Sequence, residues 1–411
     1  MSAITQNKQG LRVLITGSIL QLFLGILYVW SVFVEPVSFE YEWEVDSVKL
    51  MTSFMLSFFV IGILTGGKLL VKIGTEKVVL IGGMMLAGGM LVSSFLPPSL
   101  AWLMYLTYGV IGGFGVGSAY NSVITAAQKW FPENRGFATG VAVCAFGFST
   151  VVFAPLIRFL VGQFEIRNTF LILAISFFAV VIILFKFIRL PDSTQQSAAS
   201  EILLAKKQYT VTQAIQTKEF YFITISLMFA TAAFFILNPS FLTLSIQRGL
   251  GESIGIVVVM LTGVANALGR LVVPLLSDKV GREKAALAII LATSLSCLLL
   301  NFTGNTSEII FVFAVMVITF CFGGFPGIYA VLASDYFGIK NAGSNYGAIM
   351  IGFALSALVF PILFAMINDI TIKFIALAAL AAAGAKFITL LMLSKERKNQ
   401  VENFESERNT Q

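Results

Sequence analysis

Apolar stretches of about 20 residues, each long enough to cross a ~30 Å hydrocarbon core as a helix, recur along this whole 411-residue chain. A segment of that kind must satisfy its backbone polar groups internally, so it spans as a helix. Charged residues make up 12% of the chain, against about 25% in soluble domains. That balance excludes a soluble globular enzyme, a nucleic-acid binder and a disordered chain. Twelve spans would use roughly 240 positions, close to the apolar content of 57% of 411. The expected fold is therefore an all-α membrane protein with very little left over.

The spans read near 11–34, 48–70, 78–97, 100–125, 137–162, 168–187, 220–246, 253–276, 284–302, 307–332, 345–367 and 371–393. One longer polar stretch interrupts them, with Pro191, a Ser/Gln/Ala-rich run and Lys206–Lys207. The expected domains are a six-helix bundle over 1–189, a linker loop over 190–219, a second six-helix bundle over 220–394 and a tail over 395–411. With both termini cytoplasmic, 21 of the 27 Lys and Arg fall on the inner side and five on the outer side, leaving Arg270. That asymmetry follows the positive-inside tendency and accounts for the net charge of +6 without a nucleic acid. The compact loops point to a prokaryotic inner-membrane protein that works as a monomer. The first apolar stretch is long enough to span without cleavage.

Absences narrow the chemistry. The chain has no histidine, which removes histidine acid–base chemistry, metal ligation and proton relays. Cys144, Cys297 and Cys321 sit in apolar stretches at no metal-ligand spacing and read as buried small hydrophobes. No metal and no cofactor is expected. There is no phosphate-binding loop of the Gly-x-x-x-x-Gly-Lys-Ser/Thr kind, so any energy source is a gradient.

The two halves repeat. Lys129-Trp130-Phe131-Pro132 through Pro155 parallels Asp335-Tyr336-Phe337-Gly338 through Pro361, with Phe131/Phe337 and Pro155/Pro361 each 206 apart. Residues 66–74 parallel 273–282, with Gly74 and Gly281 207 apart. Parallel six-helix repeats place a transport site between the halves near the midplane.

Arg270 is the one charge near the middle of a span. It lies about 7 Å to the cytoplasmic side of the centre of its helix, with its side chain inclined back toward the midplane. An arginine at such depth costs about 2.5–3.5 kcal/mol on insertion scales. A carboxylate matches guanidinium in a planar, two-pronged fit, and no Asp or Glu lies deep in any span. Arg270 is thus expected to bind a substrate carboxylate. Asn266, one turn earlier on the same face, either donates to a substrate oxygen, orients the arginine or joins helices. Phe322, Phe325 and Tyr329 share one face of the tenth helix. Tyr28 and Tyr120 lie in segments rich in small residues.

Ser277-Asp278-Lys279-Val280-Gly281-Arg282 resembles the loop signature of the major facilitator superfamily, in which acid and base latch helix ends together. The resemblance implies a cytoplasmic latch at Asp278 and Arg282. The first-half copy carries Val71 and Thr75 where an acid and an arginine are usual. The run Leu24-Gly-Ile-Leu-Tyr-Val-Trp-Ser-Val-Phe33, together with 129–136, 334–338 and 345–347, is similar to the oxalate:formate antiporter family, close to the proton-linked monocarboxylate transporters. Asn266-x-x-x-Arg270 falls where that family's substrate arginine lies. The resemblance implies substrate contacts from Tyr28, Tyr120, Asn266, Arg270, Phe325, Tyr329 and Phe353.

Two departures bear on substrate. Phe353 stands where the oxalate exchanger has a second cation, which suits one carboxylate with an apolar end. Asn266 stands where the animal transporters have an aspartate that takes part in proton coupling. The expectation is a proton-coupled symporter of lactate- or pyruvate-type monocarboxylates, with the bilayer and a proton as its other partners. The alternatives are an oxalate- or formate-type exchanger and a non-transporting sensor on the same scaffold.

Overall fold

The computed structural model describes residues 3–191, 201, 204–205, 207–247, 252–302 and 308–409. The middle of the expected linker, including 192–200 and Lys206, lies outside the described residues, as does Arg248.

Eleven helical stretches are long and apolar enough to cross a membrane. In order they are Lys8–Glu40 (span 1), Val45–Ile73 (span 2), Thr75–Phe95 (span 3) and Pro98–Trp130 (span 4), then Arg135–Phe187. This fifth stretch would be about 80 Å long as one rod at 1.5 Å per residue, well over twice the hydrocarbon thickness. Its helix turns at Glu165, whose φ of 62° and ψ of 171° are non-helical, giving span 5 (135–164) and span 6 (166–184). The second half comprises Lys218–Ser240 (span 7), the helix Glu252–Val280 (span 8), Arg282–Phe302 (span 9), Ile309–Phe337 (span 10), Ala342–Ala365 (span 11) and Ile370–Arg397 (span 12). Among the described residues the fold is all-helical, with twelve passes in two six-helix halves.

Several spans depart in detail from their expected form. Span 1 was expected as one regular helix, and instead a tighter 3₁₀ turn over Gly25–Val29 interrupts it. Span 4 opens with a 3₁₀ turn over Pro98–Leu103 and π-helical turns over Tyr105–Gly112 before becoming regular at Gly113–Trp130. The final helix continues through Asn409 rather than ending with its span. Within the linker, a capping box at Thr210 starts the short helix Val211–Ala214. Tyr209 is tied to the turn between spans 10 and 11: its N–H donates to the Phe337 carbonyl, and its carbonyl accepts from Asn341 and Asn345 side chains.

The internal repeat is physical as well as textual. Gly74 and Gly281 close the turns after spans 2 and 8 with φ of +87° and +94°, a region where a Cβ is strained. Each donates its N–H back to a carbonyl four residues earlier, Leu70 and Ser277. Spans 2 and 4 cross where Gly62 abuts the Phe114 backbone and Gly117 abuts that of Phe59. Spans 8 and 10 cross where Gly269 abuts the Phe320 backbone and Gly323 abuts that of Asn266. All four pairs map onto each other at offsets of 206 or 207. Small residues at these crossings let backbones touch, which is how helices associate in lipid.

Candidate functional site

Arg270, on span 8, is 3% exposed. Its stem lies on Gly147 of span 5: a Cβ at Gly147 would fall 2.6 Å from Arg270 Cδ and 2.7 Å from Nε. The side chain therefore reaches from the second half onto the first only because span 5 has no side chain there. Arg270 Nε donates to Asn266 Oδ1 at 2.8 Å, which fixes the plane of the guanidinium. Its Cζ lies 5.3 Å from the centroid of the Tyr28 ring, within cation–π range. Tyr28 sits in the 3₁₀ turn of span 1, so that irregular turn is what presents its ring to the arginine.

Aromatic rings build the wall behind. Phe146 packs edge-on against Tyr28 at 5.5 Å and Tyr120 at 4.8 Å. Phe59 packs on Tyr120 at 5.2 Å and stacks on Phe146 at 5.9 Å. Besides Asn266, the polar groups near the guanidinium are Tyr28, Tyr120 and Cys144. Tyr346 of span 11 lies beside Tyr120. Among the described residues, Arg270 takes part in no ion pair. A buried arginine with a planar donor fork, an aromatic floor and no resident carboxylate is arranged to receive one anionic group.

The structure thus brings Tyr28, Tyr120, Asn266 and Arg270 into one cluster. The other residues expected at the site lie in a second aromatic group within the second half. Phe353 packs on Phe235 at 5.0 Å and Phe322 at 5.9 Å, and Phe322 stacks on Phe234 at 3.7 Å. Phe325 and Tyr329 touch each other at 6.2 Å, and the Tyr329 hydroxyl shares a 2.7 Å hydrogen bond with Ser226 of span 7. No described contact joins Phe325, Tyr329 or Phe353 to the guanidinium.

Sequence reasoning missed Phe146, Gly147 and Tyr346. The repeat held a signal, because Gly147 lies 206 residues before Phe353. The cysteine reading needs correction at one position. Cys297 and Cys321 are buried, but Cys144 is only half-buried, since its stretch of span 5 faces the space between the halves beside Arg270.

At one end of the bundle the halves are sealed along two seams. On the first, Asp278 at the end of span 8 accepts from the Gly136 and Phe137 N–H groups at 3.0 and 2.7 Å. A carboxylate is favoured at such a helix N-terminus. Asp278 also pairs with Arg282, and Arg135 of span 5 pairs with Asp335 of span 10. Arg282 Nε stands 3.5 Å from Asp335. Asp278 and Arg282 were the expected pair; Arg135, joined across the halves also to Ser334 at 3.0 Å, was not foreseen. On the second seam, Asn121 of span 4 donates to the carbonyls of Ile63 and Gly343, both at 2.7 Å. Gly67 of span 2 lies directly against the Gly343 backbone. The ion pair between the halves, Arg135 with Asp335, lies at this end, together with the cross-half hydrogen bonds of Asp278, Arg135 and Asn121.

Three kinds of likeness accompany this geometry. The family model described as Major Facilitator Superfamily matches residues 14–361. The uncharacterized MFS-type transporter YhjX of Escherichia coli (strain K12) is 24% identical over 354 residues, 84% of this chain and 85% of that protein. The oxalate:formate antiporter of Oxalobacter formigenes is 25% identical over 332 residues, covering 79% and 76% of the two chains. Monocarboxylate transporter 12 of Xenopus laevis is 25% identical over 341 residues, covering 76% and 72%. Among solved structures, a double-tryptophan variant of XylE superimposes with a TM-score of 0.70 at 16% identity, covering 93% and 95%. FucP in its outward conformation gives 0.66 at 14% identity, covering 92% and 98%. At such identity the structures establish the shared fold.

Proposed function

Because this chain belongs to the Major Facilitator Superfamily, and so is a secondary transporter, we propose that it carries small monocarboxylates of the lactate or pyruvate type, with Arg270 holding the carboxylate. The observation that supports this reading is the guanidinium itself: buried, spread under Tyr28, oriented by Asn266 and without an ion-pair partner among the described residues. Its burial cost calls for an anion, and a substrate carboxylate meets the planar fork. Tyr28, Tyr120, Phe146 and Phe59 offer apolar surface to the rest of a small molecule. Phe325, Tyr329 and Phe353 would contribute from the second half as it moves.

Arg270 belongs to one half and rests on the other, so an anion bound there touches both. Rocking of the halves about such a site is alternating access. With the basic belt inside, both termini and the two seams face the cytoplasm. Asp278 and Arg282 then form a cytoplasmic latch, and the state seen is closed inward. The protein resides in a prokaryotic inner membrane, acts as a monomer and uses no cofactor.

The proposed coupling is proton symport. No carboxylate stands by Arg270 among the described residues, so the coupling proton would not be carried by an acidic side chain beside the bound anion. The same observation favours a second reading, anion exchange of the oxalate or formate kind, which needs no protein proton carrier.

The deciding experiment is uptake of labelled L-lactate, pyruvate, formate and oxalate into proteoliposomes, with and without an inward proton gradient and with and without internal substrate. Gradient-driven uptake of a monocarboxylate is expected. Flux indifferent to the gradient but dependent on internal anion would replace symport by exchange. Absence of flux for all four anions would overturn the carboxylate reading.

A further inference from the structure

A second cationic site lies away from Arg270, on the outside of the first half at the end that bears the latch. It is a cavity of about 160 Å³ lined by Gln9, Arg12, Val13, Trp130, Lys186, Phe187 and Arg189. Three of its seven lining residues are cations and none is acidic. Among the described residues Arg12, Lys186 and Arg189 take part in no ion pair. Three like charges brought together repel one another, and none of them takes part in the Arg270 cluster or the two seams.

The cavity is built rather than incidental. The chain leaving span 6 is pinned by two side chains: Thr75 Oγ1 donates to the Ile188 carbonyl at 2.8 Å, and Trp130 Nε1 donates to the Arg189 carbonyl at 2.7 Å. Ile188 between them is fully buried. Arg12 lies 5.8 Å from the centroid of the Phe187 ring. Gly10 packs against Trp130 and Phe131, which draws the start of span 1 down beside the indole. The cations thus stand on two fixed elements, the start of span 1 and the end of span 6, braced by Trp130 at the end of span 4.

Along the same two helices, beside the cations and on into the spans, exposed residues are apolar. Leu11, Ile15 and Ile19 on span 1 and Ile182 and Ile183 on span 6 are each at least 40% exposed. A small open pocket of cations continuous with an exposed apolar strip matches an amphiphile with an anionic phosphate head. A soluble phosphate would meet the cations and leave the strip unused.

We propose that this pocket binds the headgroup of an anionic phospholipid of the adjoining leaflet, of the phosphatidylglycerol type, with its acyl chains lying along the Leu11–Ile15–Ile19 and Ile182–Ile183 strip. Basic pockets between helix ends at the membrane surface take such heads through charge and hydrogen bonds. The ligand holds the ends of spans 1, 4 and 6 together and neutralises the three cations. It is independent of the substrate reading above.

The test uses the full chain purified in neutral detergent. Thermal unfolding and native mass spectrometry are followed while dioleoyl-phosphatidylglycerol, dioleoyl-phosphatidylcholine, glycerol 3-phosphate or inorganic phosphate is added. Phosphatidylglycerol is expected to raise the unfolding temperature and remain bound, and the other three to do neither. The triple variant Arg12→Ala/Lys186→Ala/Arg189→Ala should lose about a hundredfold in phosphatidylglycerol affinity, from three cations near an anionic lipid. A control variant, Lys68→Ala/Lys72→Ala/Lys77→Ala, removes three basic residues elsewhere on the same side. Equal loss in the control would reduce the effect to general surface charge and overturn the site. Equal binding of glycerol 3-phosphate would replace the lipid by a soluble phosphate ester. If the triple variant unfolds when purified, Arg12→Ala alone, at an exposed position, is measured instead, and unchanged lipid affinity would overturn the proposal.

Discussion

Spans 2 and 8 are equivalent helices of the two halves, and four paired positions on them and their turns carry contrasting chemistry. Span 2 carries Phe59, Ile63 and Val71, with Thr75 just past its turn; span 8, 207 residues on, carries Asn266, Arg270 and Asp278, with Arg282 just past its turn. The glycines that set the backbone agree: Gly62 with Gly269 at the helix crossing, Gly74 with Gly281 at the turn. Backbone form and chemistry have therefore been separated. One copy keeps the shape and contributes rings and close contacts. The other copy carries the buried Arg270 cation and, at its end, the ionic seam. A symmetric scaffold with asymmetric chemistry can pivot as two equal bodies while binding through one.

Removing the chemistry of span 8 at Arg270 should break this comparison most completely. Arg270→Ala leaves both faces apolar at that level and takes away the carboxylate's only charged partner described there. Uptake and equilibrium binding in proteoliposomes are expected to fall by at least a hundredfold, about 3 kcal/mol for a lost buried charge partner. Arg270→Lys should recover only part, since an ammonium lacks the planar fork. Near-normal uptake of every tested anion by Arg270→Ala would remove the site.

The ionic seam comes next. Asp278 accepts two backbone N–H groups across the halves and pairs with Arg282. Hydrogen bonds to charged groups contribute about 1.5–3 kcal/mol, so Asp278→Asn should shift the closed-to-open balance at that end by roughly tenfold to a hundredfold. Distances between spin labels on the ends of spans 5 and 8 would read this directly. An unchanged distance distribution would mean that the seam is held by helix packing alone.

Gly147 tests how the cation is seated. A methyl group at this position meets Arg270 Cδ and Nε within 2.7 Å, so the stem must move off span 5 and away from Tyr28. Gly147→Ala should raise KM about tenfold, near 1.4 kcal/mol, while Vmax changes much less, because the seams are untouched. A fall in Vmax at constant KM would show that Gly147 serves helix packing during the transition and not the arginine's position.

The fold was legible because membrane spans announce themselves by length and because the two halves repeat. Gly74 and Gly281 were readable as a pair from sequence and became equivalent turns in space. Arg270 was legible for the same reason that it is costly: a lone charge in an apolar helix has few explanations. The aromatic wall was not legible. With 39 phenylalanines in the chain, nothing marks Phe146 as the ring between Tyr28 and Tyr120. The 3₁₀ turn that presents Tyr28 has no proline within it to announce it. Gly25 in that turn abuts the Phe146 backbone, a contact that depends on packing between spans 1 and 5. Arg135 read as one more basic residue of the inner belt, because its partner Asp335 is 200 residues away.

The smallest expected effect sharpens the contrast between the seams. Asn121 holds the second seam across the halves through one neutral hydrogen bond, to the Gly343 carbonyl, worth about 1 kcal/mol, while its bond to the Ile63 carbonyl stays within the first half. Asn121→Ala should therefore shift the closed-to-open balance by only about fivefold, against the larger shift for Asp278→Asn. If the contribution of the two seams is independent, the double variant should show the sum of the two free-energy changes, since the residues share no partner. A double variant no more open than Asp278→Asn alone would mean that both seams part in one step, with the ionic seam setting the barrier for the neutral one. An Asn121→Ala effect larger than that of Asp278→Asn would reverse the assignment, making the close glycine contact at Gly67 and Gly343 the principal lock and the charges its accessory.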